Sequence, residues 1–196
     1  MSPQLYWPRT RPTQSFDVLL DHWASPAPRR GHLWLSRHDS AAMAPEPGWA
    51  NDEIDTQVRT TRARRRAGGN VHFSLGALAR GAPTLGTQMG AELYAQAALT
   101  PPTPWRPAQP CGAPRLTGAR TAGRLQLEIK VVPGASRRAA VWTRANEAKW
   151  QLDVCPIDAA GHATFTLDAD PATSLHAIAF AVTGNGLLSD RSEHCW

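Results

Sequence analysis

Hydrophobic and polar positions in the first part of the chain change between the short period of strands and the longer period of amphipathic helices. The segment 3–8 is predicted as the end of a buried strand, because it carries Leu, Tyr and Trp in a row between two prolines. Ser15 is predicted to cap the helix that follows, and Pro26 and Pro28 to end it. The buried face of this helix is predicted from the i, i+3, i+4, i+7 spacing of Phe16, Leu19, Leu20 and Trp23.

Further strand and helix patterns follow in alternation up to residue 100. Residues 32–36 form a short apolar run suited to a buried parallel strand, and residues 70–75 form another. Between them a helix is predicted from about Asn51, with acids in its first turn and arginines at its end, and Gly68–Gly69 closing it. A third helix is predicted from the spacing of Leu85, Met89 and Leu93. This β-α-β-α-β-α order predicts a parallel sheet with right-handed crossovers, which fits either an open α/β sheet or part of a barrel.

From about Arg124 the hydrophobic period changes from 3.6 to 2. Apolar residues alternate with polar ones over 125–131, and the pattern returns over 150–154, 165–167 and 178–182, with turn signals between the runs. This pattern predicts a small antiparallel β-sandwich over 115–196. Six prolines fall between 101 and 114. They predict a linker that separates the sandwich from an α/β region over 1–100.

Composition and charge narrow the class of protein. The 196 residues carry 21 Lys and Arg against 16 Asp and Glu, for a formal charge of +5. Much of the positive charge lies in one arginine run over 59–66. Three cysteines, Cys111, Cys155 and Cys195, are too few and too scattered for a disulfide framework. We recognise neither a signal peptide at the N-terminus nor an apolar stretch long enough to span a membrane.

Two partner classes can be weighed against this composition. The arginine run could contact nucleic-acid phosphates, but no aromatic residue is interleaved with it for base stacking, and a solvated helix end explains it better. A zinc site could draw on Cys155, His162, His176, His194 and Cys195, yet no pair among them shows a zinc-site ligand spacing. We therefore expect no nucleic-acid partner, no metal and no cofactor.

The polar and aromatic residues at the predicted strand ends are the candidate ligand contacts. In an α/β barrel the carboxyl ends of the strands surround the active site, and a planar ring beside an amide suits a sugar. Gln4, Tyr6 and Trp7 end the first predicted strand. Ser36 and Ser74 end the next two and would point into the same opening. The alternative is a set of core aromatics beneath a loop.

Four blocks of sequence, in order within residues 1–105, resemble the last part of the bacterial family-10-like glycosyl hydrolases. They are PQLYWPRTRPTQSFDVLLDHWA, HLWLS, EIDTQVRTTR and NVHFSLGAL, followed by ALTPPTPW. Members of this family are envelope proteins in which a (β/α)8 barrel precedes a fibronectin-III-like β-domain. The resemblance implies that the three predicted strands are barrel strands six to eight. It also implies a cell-envelope or periplasmic parent protein that acts on bacterial polysaccharide, such as cell-wall glycan.

The resemblance leaves five barrel strands, and the family's catalytic carboxylates, without a counterpart in this chain. Glycoside hydrolysis normally needs two carboxyl groups on either side of the bond. Among the acids of residues 1–100 only Asp39 follows a predicted strand, which makes it a weak catalytic candidate. The chain also departs from the family at Arg37-His38-Asp39, where members carry a longer aromatic segment.

Together with these patterns, the resemblance implies a fold of class α/β plus all-β: three βα units of a partial (β/α)8 barrel over 1–100, a linker over 101–114 and a small antiparallel β-sandwich of the fibronectin-III or immunoglobulin type over 115–196. The function expected from the resemblance is a fragment of a glycoside hydrolase that is inactive alone, with a polysaccharide or oligosaccharide as its partner. The alternative is a non-catalytic carbohydrate-binding or adaptor protein. An enzymatic activity of this chain is left open.

Overall fold

The structure of the protein is a computed structural model that describes residues 1–25, 33–39, 48–80, 86–87, 89–121, 123–134 and 136–196. It divides into two compact units, Met1–Ala95 and Gln96–Trp196. The predicted positions Pro26, Pro28, His32 and Leu85 lie outside the described residues. No described helix has the length and apolar character needed to cross a membrane. The domain boundaries at residues 100 and 114 stay predictions.

The first unit contains short helices and one small sheet. Its elements are α1 (Phe16–Ala24), β1 (Leu33–His38), α2 (Glu53–Arg62), β2 (Ala67–Phe73), α3 (Leu75–Arg80) and a π-helical turn (Met89–Leu93). β1 and β2 pair in parallel, with Leu35 opposite Asn70 and Arg37 opposite His72. One core consists of Leu5, Phe16, Leu20, Leu33 and Leu35. A second consists of Ile54, Val58, Met89 and Leu93, with Trp49 packed against it.

The prediction of a partial (β/α)8 barrel is wrong. The described residues form mostly β-sheet, are 19% helical and contain no barrel-like βα repeat. The predicted first strand contributes one isolated parallel bridge, Gln4 to Ser36. Prolines at both ends of this segment have no N–H to donate, which limits its pairing with β1 to a few hydrogen bonds.

The two glycines predicted to end a helix lie inside β2 instead. α2 already ends at Arg62, and β2 begins at Ala67. A Cβ atom at Gly69 would come within 2.7 Å of the Trp34 ring, so this glycine allows the two strands to approach each other. Close packing, and not helix termination, explains the Gly pair.

The second unit is built from two antiparallel sheets. Its strands are β3 (Arg115–Thr121), β4 (Arg124–Lys130), β5 (Arg138–Ala145), β6 (Gln151–Pro156), β7 (His162–Asp168), β8 (Leu175–Val182) and β9 (Ser192–Cys195). The first sheet has the order β3-β4-β7 and the second β6-β5-β8-β9. Alternate residues of β4 and β8 are buried, as a strand with one core-facing side requires. The core lies among Leu116, Leu125, Leu127, Ile129, Val141, Ala177 and Ala179.

Candidate functional site

An aromatic groove lies in the first unit where residues 6–12 meet residues 48–49. It has a volume of about 560 Å³. We call it the aromatic groove and define it by its lining residues, which are Tyr6, Trp7, Pro8, Thr10, Arg11, Pro12, Gly48 and Trp49. Tyr6, Trp7 and Trp49 are each half-buried, so part of each ring is accessible. Three partly exposed aromatic rings around one groove are suited to a flat, partly apolar ligand.

Buried hydrogen bonds fix the segment that carries Trp7. The carboxylate of Glu53, at the start of α2, is buried and accepts from the backbone N–H of Arg9 at 2.7 Å and from the Gln57 amide at 2.8 Å. The Gln57 amide also donates to the carbonyl of Trp7 at 3.2 Å. Since the bonds to residues 7–9 use only their backbone, the Trp7 ring is left to line the groove.

The opposite side of the aromatic groove is held by one hydrogen bond and one special backbone position. The Thr10 hydroxyl donates to the carbonyl of Gly48 at 3.0 Å. Gly48 has a backbone φ of 90°, which residues with a side chain rarely adopt. A Cβ atom at this position would also lie 3.3 Å from Thr10 Oγ1. A glycine at this position therefore allows Trp49 to follow directly and to reach both the groove and the core.

The structure brings some of the predicted site residues together. The Tyr6 hydroxyl lies 3.3 Å from Ser36 Oγ, and its ring stacks on Phe73 with centroids 6.0 Å apart. Gln4, Ser36 and Ser74 do not line the groove: Gln4 is exposed beside β1, Ser36 is buried, and the carbonyl of Ser74 accepts from Ala77 at the start of α3. The substrate-binding roles of Gln4, Tyr6, Trp7, Ser36 and Ser74 stay predictions.

Trp49 and Glu53 are the site residues that sequence reasoning missed. Trp49 stands alone before the second helix, with no periodic pattern to mark it as accessible. Glu53 has the ordinary place of an acid in a first helical turn. The position of Gly48 before Trp49 is the one local signal, because a glycine beside an aromatic residue can mark a turn that exposes the ring.

A second cluster of polar side chains lies where β1 and β2 end. Asp39 is fully buried, and His72 Nδ1 lies 3.0 and 3.1 Å from its two carboxylate oxygens. His72 Nε2 lies 2.8 Å from the Tyr94 hydroxyl. In the neutral imidazole, Nδ1–H donates to Asp39 and Nε2 accepts from Tyr94. These hydrogen bonds from Asp39 through His72 to Tyr94 fix the tautomer of His72 and connect Tyr94 to the sheet.

Arg37 is a buried cation beside this cluster. Its Nη2 donates to Asn70 Oδ1, whereas Nε and Nη1 have no hydrogen-bond partner in the described part of the chain. Burial lowers the pKa of Arg37 to about 10, although the nearby Tyr94 and Asp39 act in the opposite direction. A buried charge with two unpaired donors costs stability that these partners offset only in part.

Replacing Arg37 with Met is expected to leave the free energy of unfolding within about 1 kcal/mol of wild type or to raise it, because Met fills the space without a charge. Arg37→Ala should lower it by about 2–5 kcal/mol by leaving a cavity. Above pH 10 Arg37 loses its proton in the folded protein but keeps it in the unfolded chain. The free energy of unfolding of the wild type should therefore rise relative to that of R37M as the pH passes 10. Urea unfolding of the three proteins between pH 7 and 10.5 measures both effects. A large loss in R37M at pH 7 would contradict them.

Several arginines of the run over 59–66 have partners in the first unit. Arg59 pairs with Asp55 at 2.6 Å and Arg64 with Asp21 at 2.7 Å. The guanidinium of Arg62 lies 4.8 Å from the Tyr94 ring centroid.

Within the described residues no group of three or more His, Cys, Asp or Glu side chains could hold a metal ion. All three cysteines are free thiols, and burial raises the pKa of Cys111 and Cys155.

No protein-family model matches the chain, and no curated protein matches it. Solved structures do match. A superoxide reductase in the oxidised state has 10% identity and a TM-score of 0.36, over 44% of this chain and 88% of its own. A family 56 carbohydrate-binding module that binds β-1,3-glucan has 12% identity and a TM-score of 0.34, over 43% of this chain and 99% of its own.

A third match is the FN3 domain of human collagen XX, with 15% identity and a TM-score of 0.33, over 46% of this chain and 98% of its own. Carbohydrate-binding and FN3 domains are therefore among the structures to which the chain is weakly similar, together with an enzyme of unrelated chemistry. Neither family 10 nor a TIM barrel is shown. At these TM-scores the matches carry no argument about function, which has to come from the site.

Proposed function

We propose that the protein is a non-catalytic carbohydrate-binding protein whose first unit binds a sugar in the aromatic groove. The observation that carries this proposal is the meeting of Tyr6, Trp7 and Trp49 around one groove. The faces of pyranose rings carry C–H groups that pack against aromatic rings, while their hydroxyls need polar partners. Arg11 is exposed in the same groove and can donate to hydroxyls, and the Thr10 hydroxyl, which donates to Gly48, can accept from one.

The same geometry argues against catalysis by the one acid that the sequence offered. Asp39 is fully buried, and both its carboxylate oxygens face His72. A carboxylate held in this way cannot reach a glycosidic bond in the aromatic groove, where none of the lining residues that the structure describes is an Asp or Glu. Glycoside hydrolysis by a pair of carboxyl groups therefore has no support at this groove.

The source of the sugar follows from the sequence resemblance alone. We propose a bacterial polysaccharide, with cell-wall glycan as the first to test, and a cell-envelope location for the protein.

Affinity electrophoresis in gels that contain soluble polysaccharides tests the proposal. The panel includes β-1,3-glucan, β-1,4-glucan and solubilised cell-wall glycan, and the full chain should be retarded by at least one of them. Reducing-sugar assays on the same polysaccharides should show no release of product. Unretarded migration in every gel, or measurable turnover, would contradict the proposal.

A further inference from the structure

A second cavity lies within the second unit, at one end of its β-sandwich. It has a volume of about 620 Å³ and is formed by residues 98–109, the start of β5 and the turn that follows β8. We call it the arginine pocket, after Arg106, Arg137 and Arg138, which line it. The pocket shares no lining residue with the aromatic groove.

Hydrogen bonds shape the wall of the arginine pocket. The backbone N–H of Thr103 donates to the carbonyl of Asn185 at 2.7 Å, and the Asn185 amide donates to the carbonyl of Arg106 at 2.9 Å. Ser136 Oγ lies 2.6 Å from the carbonyl of Val182, to which it donates. Asn185 and Ser136 are buried. These bonds hold the proline-rich segment against the turn, so the cavity is formed by the folded chain itself.

The charge of the arginine pocket is unbalanced. Among the described residues that line it, three are arginines and none is an Asp or Glu. In the described structure neither Arg106, Arg137 nor Arg138 forms an ion pair, whereas six other arginines pair with a carboxylate. Those that pair are Arg9, Arg59, Arg64, Arg124, Arg144 and Arg191. Three exposed arginines without an ion-pair partner, all lining one concave surface, favour an anion.

The size and the remaining walls of the arginine pocket narrow the class of anion. A bare inorganic anion would fill a small part of a cavity of 620 Å³, which lies within the range of small-ligand pockets. Leu99, Pro101 and Pro107 supply apolar surface. Thr103 and Gln109 supply hydroxyl and amide groups. A ligand that matches all three kinds of surface has carboxylates, hydroxyls and C–H faces.

We propose that the arginine pocket binds an acidic oligosaccharide, in which uronate carboxylates pair with Arg106, Arg137 and Arg138. Guanidinium groups bind carboxylates through two parallel hydrogen bonds, which gives this pairing both charge and direction. The hydroxyls and ring faces of the sugar then contact the polar and apolar walls. The proposal concerns a second site and does not depend on sugar binding in the aromatic groove.

Calorimetric titration of the full chain with trigalacturonate tests the proposal, with the neutral galactose trisaccharide and inorganic phosphate as the other arms. Trigalacturonate should bind, and its affinity should fall as NaCl is raised, because the pairing is between charges. The neutral trisaccharide should bind at least tenfold more weakly. Equal affinity for the neutral sugar, or phosphate binding as tight as that of trigalacturonate, would overturn the proposal, since the site would then not read an acidic sugar.

Single substitutions separate a built site from general positive charge. Arg106→Gln and Arg138→Gln should each weaken trigalacturonate binding about tenfold. Arg115→Gln changes the net charge equally at an exposed position of β3 outside the pocket, and should leave binding unchanged. If R138Q melts early because it alters β5, R106Q on the preceding segment still gives the answer. An equal loss in R115Q would overturn the proposal. Trp7→Ala should not change this affinity, which keeps the two sites distinguishable.

Discussion

Replacing Leu127 with Ala is expected to lower the free energy of unfolding of the second unit by about 2–5 kcal/mol. Leu127 is fully buried at the centre of β4, between Gly118 on β3 and Phe165 on β7. Removing its side chain costs the transfer of apolar surface from water and leaves a cavity between the sheets. This loss is a large fraction of the stability of a typical domain, which is about 5–15 kcal/mol.

Native-state hydrogen exchange of the β4 and β7 amides measures this loss within the second unit. Their exchange should be faster by a factor that corresponds to the lost free energy, since these amides are protected by the sheet. Leu187→Ala is the matched control, because Leu187 is 41% exposed and should cost below about 1 kcal/mol. Similar protection in L127A and wild type would show that the two sheets do not enclose this core.

Replacing both Trp7 and Trp49 with Ala is expected to weaken binding of the retarding polysaccharide by about 30-fold or more. Each ring that contacts a sugar face contributes on the order of 1 kcal/mol, and a factor of ten corresponds to about 1.4 kcal/mol. Trp7→Ala alone should lose about fivefold, and it keeps the backbone carbonyl that Gln57 holds. The measurement is the dissociation constant from affinity electrophoresis at graded polysaccharide concentrations.

Two controls accompany the tryptophan variants. Trp23→Ala removes the same type of side chain from α1 in the same unit, where it is 40% exposed and does not line the aromatic groove. Its binding should equal that of wild type. Trp49 also packs against the second core of this unit, which includes Ile54, Val58 and Met89, so Trp49→Phe serves as the variant that retains an aromatic ring on this core. A loss in W23A as large as that in W7A would exclude the groove as the binding site.

The strand pattern of the second unit could be predicted because it is local. Leu125, Leu127 and Ile129 alternate with polar residues in the sequence, and all three are fully buried in the structure. A period of two needs no knowledge of distant residues to predict one buried face. The proline-rich segment differs: its density of prolines predicts a linker, but the hydrogen bonds of Thr103 and Arg106 with Asn185 join residues 82 and 79 positions apart.

The architecture of the first unit could not be predicted from the same kind of pattern. The alternation of strand-like and helix-like runs predicted a parallel sheet, and the family resemblance implied barrel strands, yet the extent of strand pairing is decided by tertiary contacts. Prolines limit the segment 3–8 to one bridge, and the close approach of Trp34 places Gly69 within a strand. The aromatic groove could not be predicted either, because Trp7 and Trp49 are 42 positions apart in the sequence. Hydrogen bonds of Glu53, Gln57 and Gly48 with residues 7–10 bring the two rings to one groove.

The measurement that tests carbohydrate binding in the aromatic groove most directly is a ¹H–¹⁵N NMR titration of the tryptophan indole N–H groups. The chain has eight Trp residues, and W7F and W49F variants assign the two that matter. With a soluble oligosaccharide from the retarding polysaccharide, the indole resonances of Trp7 and Trp49 should shift together, while those of Trp142 and Trp150 in the second unit stay in place. If other resonances shift saturably while the indole resonances of Trp7 and Trp49 do not move, the sugar binds elsewhere and binding in the aromatic groove is contradicted.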